Sequence, residues 1–221
     1  MLLTITKDPL IQEVLAHCPA PVADQALIRH VGPGEMILTQ GEAPPFFGML
    51  ITGHLKAYHT SSLGDRCLVM IHHPGDVMGE IEIIDGRPCI CSVEALQSAA
   101  LLCLPRDLYL QWLREDPSFH MFIHKKLCDK VYLMAKKSAE GILFPLKYRF
   151  LNLVKYLLES AAPGQTALRV QKEFLGEELG VTLRSVNRVI RELKAKGILD
   201  YQRGYLHLIS RPLFDKEINP F

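Results

Sequence analysis

Arg184, Asn187, Arg188 and Arg191 recur at i, i+3, i+4 and i+7, so on an α-helix they share one face. Those side chains suit one kind of chemistry. A guanidinium fork donates bidentately to a guanine edge, and a carboxamide can pair with adenine, when the start of a helix enters a major groove. Thr182 is a good N-cap for such a helix, and Leu183 and Ser185 flank its first turn. Val186, Val189, Ile190 and Leu193 fall on the opposite side, giving the helix a core to lie on. A face exposed only to water more often mixes Lys with Glu, yet here the first acid is Glu192. The pattern points to nucleic-acid reading; a protein-binding module is the alternative.

A second candidate is GEIEIIDGRPCIC, from Gly79 to Cys91. Glu80 and Arg87 are placed to hold a sugar and a phosphate; they could equally be turn residues with a local ion pair. With Gly79, Ile81, Cys89, Ile90 and Cys91 they make up the candidate effector site. Cys89 and Cys91, at i and i+2, would share one face of a strand. They form a thiol site with Cys67 or Cys103, or they are apolar packing. His120, His124 and Cys128 stand at i, i+4 and i+8. Imidazole and thiolate in that line suit zinc or haem iron, and the competing reading is a polar stripe. His72 and His73 point to opposite strand faces, which argues against joint ligation. There is no CxxC pair, and no Gly-rich phosphate loop, nucleophile elbow or metal-hydrolase motif, so no enzyme is expected.

These residues need elements to carry them. The chain has 221 residues, 48% hydrophobic and 22% charged, as expected of globular domains. The N-terminus lacks a signal-peptide pattern and no apolar run approaches a membrane span. The expectation is a soluble, cytoplasmic protein whose six cysteines are reduced. Residues 1–144 carry 12 Lys and Arg against 16 Asp and Glu, a net −4, while residues 145–221 carry 13 against 8, a net +5. Only the C-terminal part is therefore suited to a polyanion. From about 31 to 104, short alternating runs separated by Gly and Pro predict a β-sandwich or barrel-like roll. PRDLYLQWLRED and the long stretch after Asp116-Pro117-Ser118 predict helices. In the second, Ile123, Leu127, Val131 and Met134 recur at spacings of 4, 4 and 3, widened by Phe119 and Phe122. A stripe that broad needs two neighbours, the roll and a second copy of the chain, unless the helix packs only within its monomer. Gly141 and Pro145 read as a hinge, and the next helix ends before Pro163-Gly164. Helices over about 171–179 and from Thr182 onward follow, then a hairpin turning near Gly204.

The combination resembles the Crp/Fnr family of bacterial transcription regulators over about residues 20–210. PGEMILTQGEAPPFFGMLITGHLKAY is similar to its first strands, HHPGDVMGEIEIID to its approach to the ligand pocket, and FLGEELGVTLRSVNRVIRELKAKGIL to its helix-turn-helix. The resemblance implies an α+β chain. An antiparallel β-roll of the cyclic-nucleotide-binding type (a double-stranded β-helix) would span 1–115. A dimerisation helix and hinge would span 116–144, and a winged helix-turn-helix 145–221. It further implies a homodimer on a two-fold related site in double-stranded DNA, with RNA polymerase as a partner. An effector or redox signal at the roll would control it, and the sequence names neither effector nor cofactor. The alternative function is a sensor acting through protein contacts without DNA.

Two departures from the family stand out. Thr182-Leu183-Arg184 takes the place of the usual Ser-Arg-Glu, although Arg188 matches the family's later arginine. Cyclic-AMP-responsive members follow their Gly-Glu with Arg-Ser, and Cys89-Ile90 stands in that place. Gly79-Glu80 is kept, but a cysteine cannot pair a phosphate, so the usual cyclic-nucleotide mode is not expected.

Overall fold

The computed structural model describes residues 5–162 and 164–218; the ends of the expected domains at 1–4 and 219–221, and Pro163, lie outside the described residues. The chain divides into two compact units, Met1–Thr60 with Val69–Met134, and Ser61–Leu68 with Ala135–Phe221.

The first unit opens with helices α1 (Pro9–Ala16) and α2 (Ala20–Ala23). Asp8 caps α1, its carboxylate accepting from the Leu10 and Ile11 amides, with Pro9 at the first helical position, where no amide is needed. The strands are β1 (Leu27–Val31), β2 (Met36–Leu38), β3 (Phe47–Thr52), β4 (Leu55–Thr60), β5 (Arg66–His72), β6 (Val77–Met78), β7 (Ser92–Ala95) and β8 (Ala99–Leu104), with helix α3 (Glu80–Asp85) after β6. They form two four-stranded sheets, ordered β1-β8-β3-β6 and β2-β7-β4-β5. Strand β8 runs antiparallel to β1 and β3, β3 to β6, and β7 to β2 and β4.

The apolar run of β8 has a physical reason. Ala100, Leu102 and Leu104 point into one core, shared with Phe47, Met49 and the helices, while Ala99, Leu101 and Cys103 point into a second core inside the roll. With both faces covered, the two-residue period sorts side chains between two apolar interiors and leaves no polar face. Along β4 the expected alternation holds for Leu55 and Ala57, whereas Tyr58 is also buried and His59 is exposed.

Helix α4 (Arg106–Glu115) and the 27-residue α5 (Pro117–Leu143) follow. Asp116 sits between them and satisfies both ends, accepting from the Trp112 indole at 3.1 Å and the Ser118 amide at 2.9 Å. The Trp112 and Phe119 rings stack at 3.8 Å and those of Phe47 and Tyr109 at 4.2 Å, fastening α4 and the start of α5 to β3. Gly141 is not a break: α5 continues to Leu143, because a lone glycine costs a helix only about 1 kcal/mol. The interruption falls at Phe144 and Pro145.

In the second unit α6 (Leu146–Glu159) leads to β9 (Ala167–Arg169), α7 (Lys172–Leu179), α8 (Leu183–Ala195), β10 (Leu199–Gln202), β11 (Tyr205–Leu208) and α9 (Arg211–Ile218). The strands form one sheet ordered β10-β11-β9. Its hairpin turns at Arg203 and Gly204, both with positive φ, as a tight two-residue turn requires. One core holds the unit: Phe150, Leu151 and Val154 of α6, Leu175 of α7, Val186 and Leu193 of α8, and Phe214 of α9 among others.

Candidate nucleic-acid interface and effector site

Helices α7 and α8 meet across Gly180-Val181-Thr182. A Cβ on Gly176 would lie 3.0 Å from the Val181 carbonyl, so this helix position can come so near the turn because it has no side chain. Thr182 caps α8, its hydroxyl accepting from the Ser185 amide. Val186, Val189, Ile190 and Leu193 are buried, while Arg184, Arg188 and Arg191 are exposed. With Ser185 these arginines line a groove of about 250 Å³. None of the three has a carboxylate partner among the described residues. The helix's acid is spent elsewhere: Glu192 accepts from Lys147 at 2.9 Å, a bond that holds its carboxyl below the ordinary range. Leu183 is exposed at the head of the helix. Asn187 is half-buried, and its carbonyl oxygen accepts from Lys172 of α7 at 2.7 Å, a contact that sequence spacing does not reveal.

The candidate effector residues are not drawn together. Gly79, with φ +78, ends β6 where a Cβ would lie 2.7 Å from the Phe46 carbonyl. Residues 80–85 are helical, not a strand, despite their two-residue alternation. Glu80 is only 1% exposed and is paired with Lys130 of α5 at 2.5 Å, whose ammonium also donates to the Val77 carbonyl at 2.8 Å. One turn earlier Lys126 pairs with Asp76 at 2.8 Å. Arg87 pairs with Asp85 at 2.7 Å and its side chain is 79% exposed, so Arg87 and Glu80 do not form one clamp. Ile81 and Ile90 are exposed. Lys130 went unseen in the sequence because 50 residues separate it from Glu80; the i, i+4 repeat of Lys126 and Lys130 beside an apolar stripe was the available signal.

Cys89 and Cys91 lie in the loop before β7, not on a strand, so period-two facing does not apply to them. Cys89 and Cys103 are buried in the roll's core. Burial, reinforced at Cys89 by Glu82, pushes both thiols up to about 11, and protonated buried thiols are poor nucleophiles. Cys67 and Cys91 are half-buried. On α5 the His120 and His124 rings are 4.5 Å apart, the His124 Nδ1 faces the His120 carbonyl at 3.1 Å, and Cys128 is exposed. No group of three His, Cys, Asp or Glu among the described residues is placed to hold a metal ion.

The stripe on α5 divides. Ile123 is buried in the core of the first unit, and the half-buried Leu127 packs against that core. Val131 and Met134 are exposed, and so are Met121, Tyr132 and Leu133.

Beneath α5, His72 is buried and its Nδ1 has no hydrogen-bond partner among the described residues. Burial, then the Lys130 charge, lowers its imidazole to about 3; Lys126 and His73 act the same way and Asp76 opposes them. Burial raises the Asp76 carboxyl, but the His73 amide and Lys126 outweigh it and leave it below its ordinary value. An unfolded histidine titrates near about 6.5, so below that pH the unfolded chain binds a proton that the folded one refuses. The stability that neutral His72 gives is complete above about pH 6.5 and is lost as pH falls toward about 3. Trp112, the single tryptophan, lies in the core of this unit and reports its unfolding. Urea midpoints read from Trp112 fluorescence should fall between about pH 6.5 and about pH 4, and His72→Leu should flatten that fall. An unchanged slope in the variant would show that His72 is not the titrating group.

Comparison with known proteins adds two family matches. Residues 28–116 match the cyclic nucleotide-binding domain, and residues 152–213 match the Crp-like helix-turn-helix domain. The chain is 24% identical over 190 residues to the CRP-like cAMP-activated global transcriptional regulator of Mycobacterium tuberculosis, covering 80% of this chain and 84% of that one. It is 19% identical over 184 residues to the fumarate and nitrate reduction regulatory protein of Vibrio cholerae, covering 80% and 72%. Among solved structures, the c-di-GMP responsive global regulator CLP of Xanthomonas campestris superposes with a TM-score of 0.77 at 15% identity, over 90% of this chain and 99% of that chain.

Proposed function

We propose that the chain, whose residues match a cyclic nucleotide-binding domain followed by a Crp-like helix-turn-helix domain, is a Crp/Fnr-type DNA-binding transcription regulator that acts as a homodimer reading a two-fold related site in double-stranded DNA. An effector at the roll would bias the placement of the reading helices. The working division is a sensory roll (1–115), the α5 segment (116–144) and the DNA-binding part (145–221). Three arginines of α8, without carboxylate partners among the described residues, above a face fixed in its own core, carry this reading. Arg184 and Arg188 would meet bases, with Thr182, Leu183, Ser185, Asn187 and Arg191 beside them. The family is non-enzymatic. Among the described residues no helix is long and apolar enough to cross a membrane. As a DNA reader the protein would act in the cytoplasm, with RNA polymerase as a further partner. Footprinting on bound DNA should protect two inverted half-sites about one helical turn apart. A single unpaired half-site would contradict the dimeric reading.

For the effector, the candidate residues argue against a cyclic nucleotide held in the family's usual mode. Glu80 is already neutralised by Lys130, Arg87 faces solvent, and Cys89-Ile90 offers no charge to a phosphate. Redox sensing by Cys89 or Cys103 is disfavoured by their raised thiol pKa.

The dimer seam would use Val131, Tyr132 and Met134. Val131 is 67% and Tyr132 71% exposed, a large apolar surface to leave on one helix. The double variant Val131→Glu with Met134→Glu should sediment as a monomer at micromolar concentration where the parent is a dimer; a parent that is itself monomeric would overturn the seam.

A further inference from the structure

We propose that Lys172 sets the base preference of α8 by holding the Asn187 side chain through its oxygen, which biases Asn187 toward donating, disfavours adenine pairing there and makes the half-site guanine-rich. The inference rests on the DNA-reading function above and deepens it. An ammonium group carries donors and no acceptor. The Asn187 atom 2.7 Å from Lys172 Nζ is therefore its carbonyl oxygen, and the orientation of the carboxamide is fixed by chemistry. The bond is charge-assisted, hence strong. Lys172 is also held from behind: its ammonium lies over the Tyr201 ring at 4.5 Å, and the Tyr201 hydroxyl donates to the Val170 carbonyl at 2.9 Å.

Pairing with adenine needs both ends of the carboxamide, the oxygen accepting from N6 and the nitrogen donating to N7. With a cationic donor already on its oxygen, Asn187 keeps one lone pair beside a positive charge, which opposes a second donor such as adenine N6 and leaves the amide protons as its stronger offer. Its neighbours on the reading face make the same demand, because Arg184, Arg188 and Arg191 have no acceptors. No carboxylate among the described residues serves the face, since Glu192 is engaged by Lys147. The Thr182 hydroxyl accepts from the Ser185 amide and donates to the Ser185 hydroxyl, both at 3.3 Å, which leaves the small Ser185 hydroxyl as the first turn's remaining acceptor. Guanine is the base that offers two major-groove acceptors and no donor, whereas cytosine and adenine each present an amino donor for which this donor-rich face is poorly supplied. Lys172 is thus a positioning residue: it acts through Asn187 and need not touch a base.

The test is selection of sites from a randomised duplex by the full-length chain at micromolar concentration, for the parent, Lys172→Arg and Lys172→Met. The parent should enrich guanine runs in each half-site. In Lys172→Met the freed carboxamide should accept adenine at one position per half-site, moving the adenine-to-guanine ratio there roughly 5- to 150-fold, the range of one bidentate contact. Lys172→Arg, which keeps a donor, should hold the parental preference. A merely structural role would lower affinity for all sites equally and leave the ratio unmoved. Adenine at that position in the parent, or an unchanged ratio in a Lys172→Met protein that still binds, overturns the inference alone. Failure of the parent to enrich any sequence overturns the DNA-reading function and the inference with it.

Discussion

Replacing Lys130 by methionine should destabilise the first unit by about 3–5 kcal/mol, the usual cost of leaving one partner of a buried ion pair uncompensated. Glu80 has almost no contact with solvent, and its ion-pair partner is the Lys130 ammonium. The Tyr109 hydroxyl is buried without a hydrogen-bond partner among the described residues, and burial together with the Glu80 charge raises its phenol. Urea unfolding followed by Trp112 fluorescence measures the loss. Adding Glu80→Gln to Lys130→Met removes the orphaned charge and should restore most of the stability, because dispensing with both charges of a buried pair is often nearly neutral. A single variant within about 0.5 kcal/mol of the parent, the scatter of ordinary surface substitutions, would mean that the pair is not closed in solution. The same experiment bears on sensing, since a ligand using Glu80 would compete with Lys130 for its charge.

The second large effect concerns DNA. Arg184→Ala with Arg188→Ala should weaken binding to the selected site by about 2–6 kcal/mol, taking about 1–3 kcal/mol for each base contact. Discrimination should fall with affinity, because an arginine that reads a base edge favours the cognate sequence over random DNA. Arg188→Ala alone should cost about 1–3 kcal/mol and relax one base position. Folding is not at stake: both side chains are exposed and the apolar side of α8 is untouched. Equal weakening on cognate and random duplexes would instead make these arginines phosphate contacts.

Helix α8 was legible because the 3.6-residue period separates its arginines from Val186, Val189, Ile190 and Leu193, and Thr182 announces its start. The roll was legible from alternation and turn glycines. What the sequence obscured was partnership. Periodicity placed Ile123, Leu127, Val131 and Met134 on one stripe, yet it cannot say which neighbour each residue meets. Ile123 went to the chain's own core, Leu127 lies half-buried against it, and Val131 and Met134 are on the surface. The run EIEIID alternates like a strand, but positive φ at Gly79 and Gly86 brackets it as a short helix. Glu80 with Lys130 and Lys172 with Asn187 are tertiary pairs, invisible to any local window. That Cys89-Ile90 offers no charge to a phosphate was readable at once; that Glu80 is neutralised from α5 was not.

The most direct test is equilibrium binding of the full-length protein to a duplex carrying its selected site, in a salt series from about 50 to about 200 mM. A transcription regulator of this kind should bind the site about 10³-fold or more tighter than random DNA. Its log affinity should fall linearly with log salt, with a slope of about −0.9 for each phosphate neutralised, and the Arg184→Ala, Arg188→Ala variant should lose the preference for the site. Weak, salt-insensitive binding that is equal on both duplexes and unchanged in the variant would contradict DNA reading by α8 and favour a sensor that acts through protein contacts.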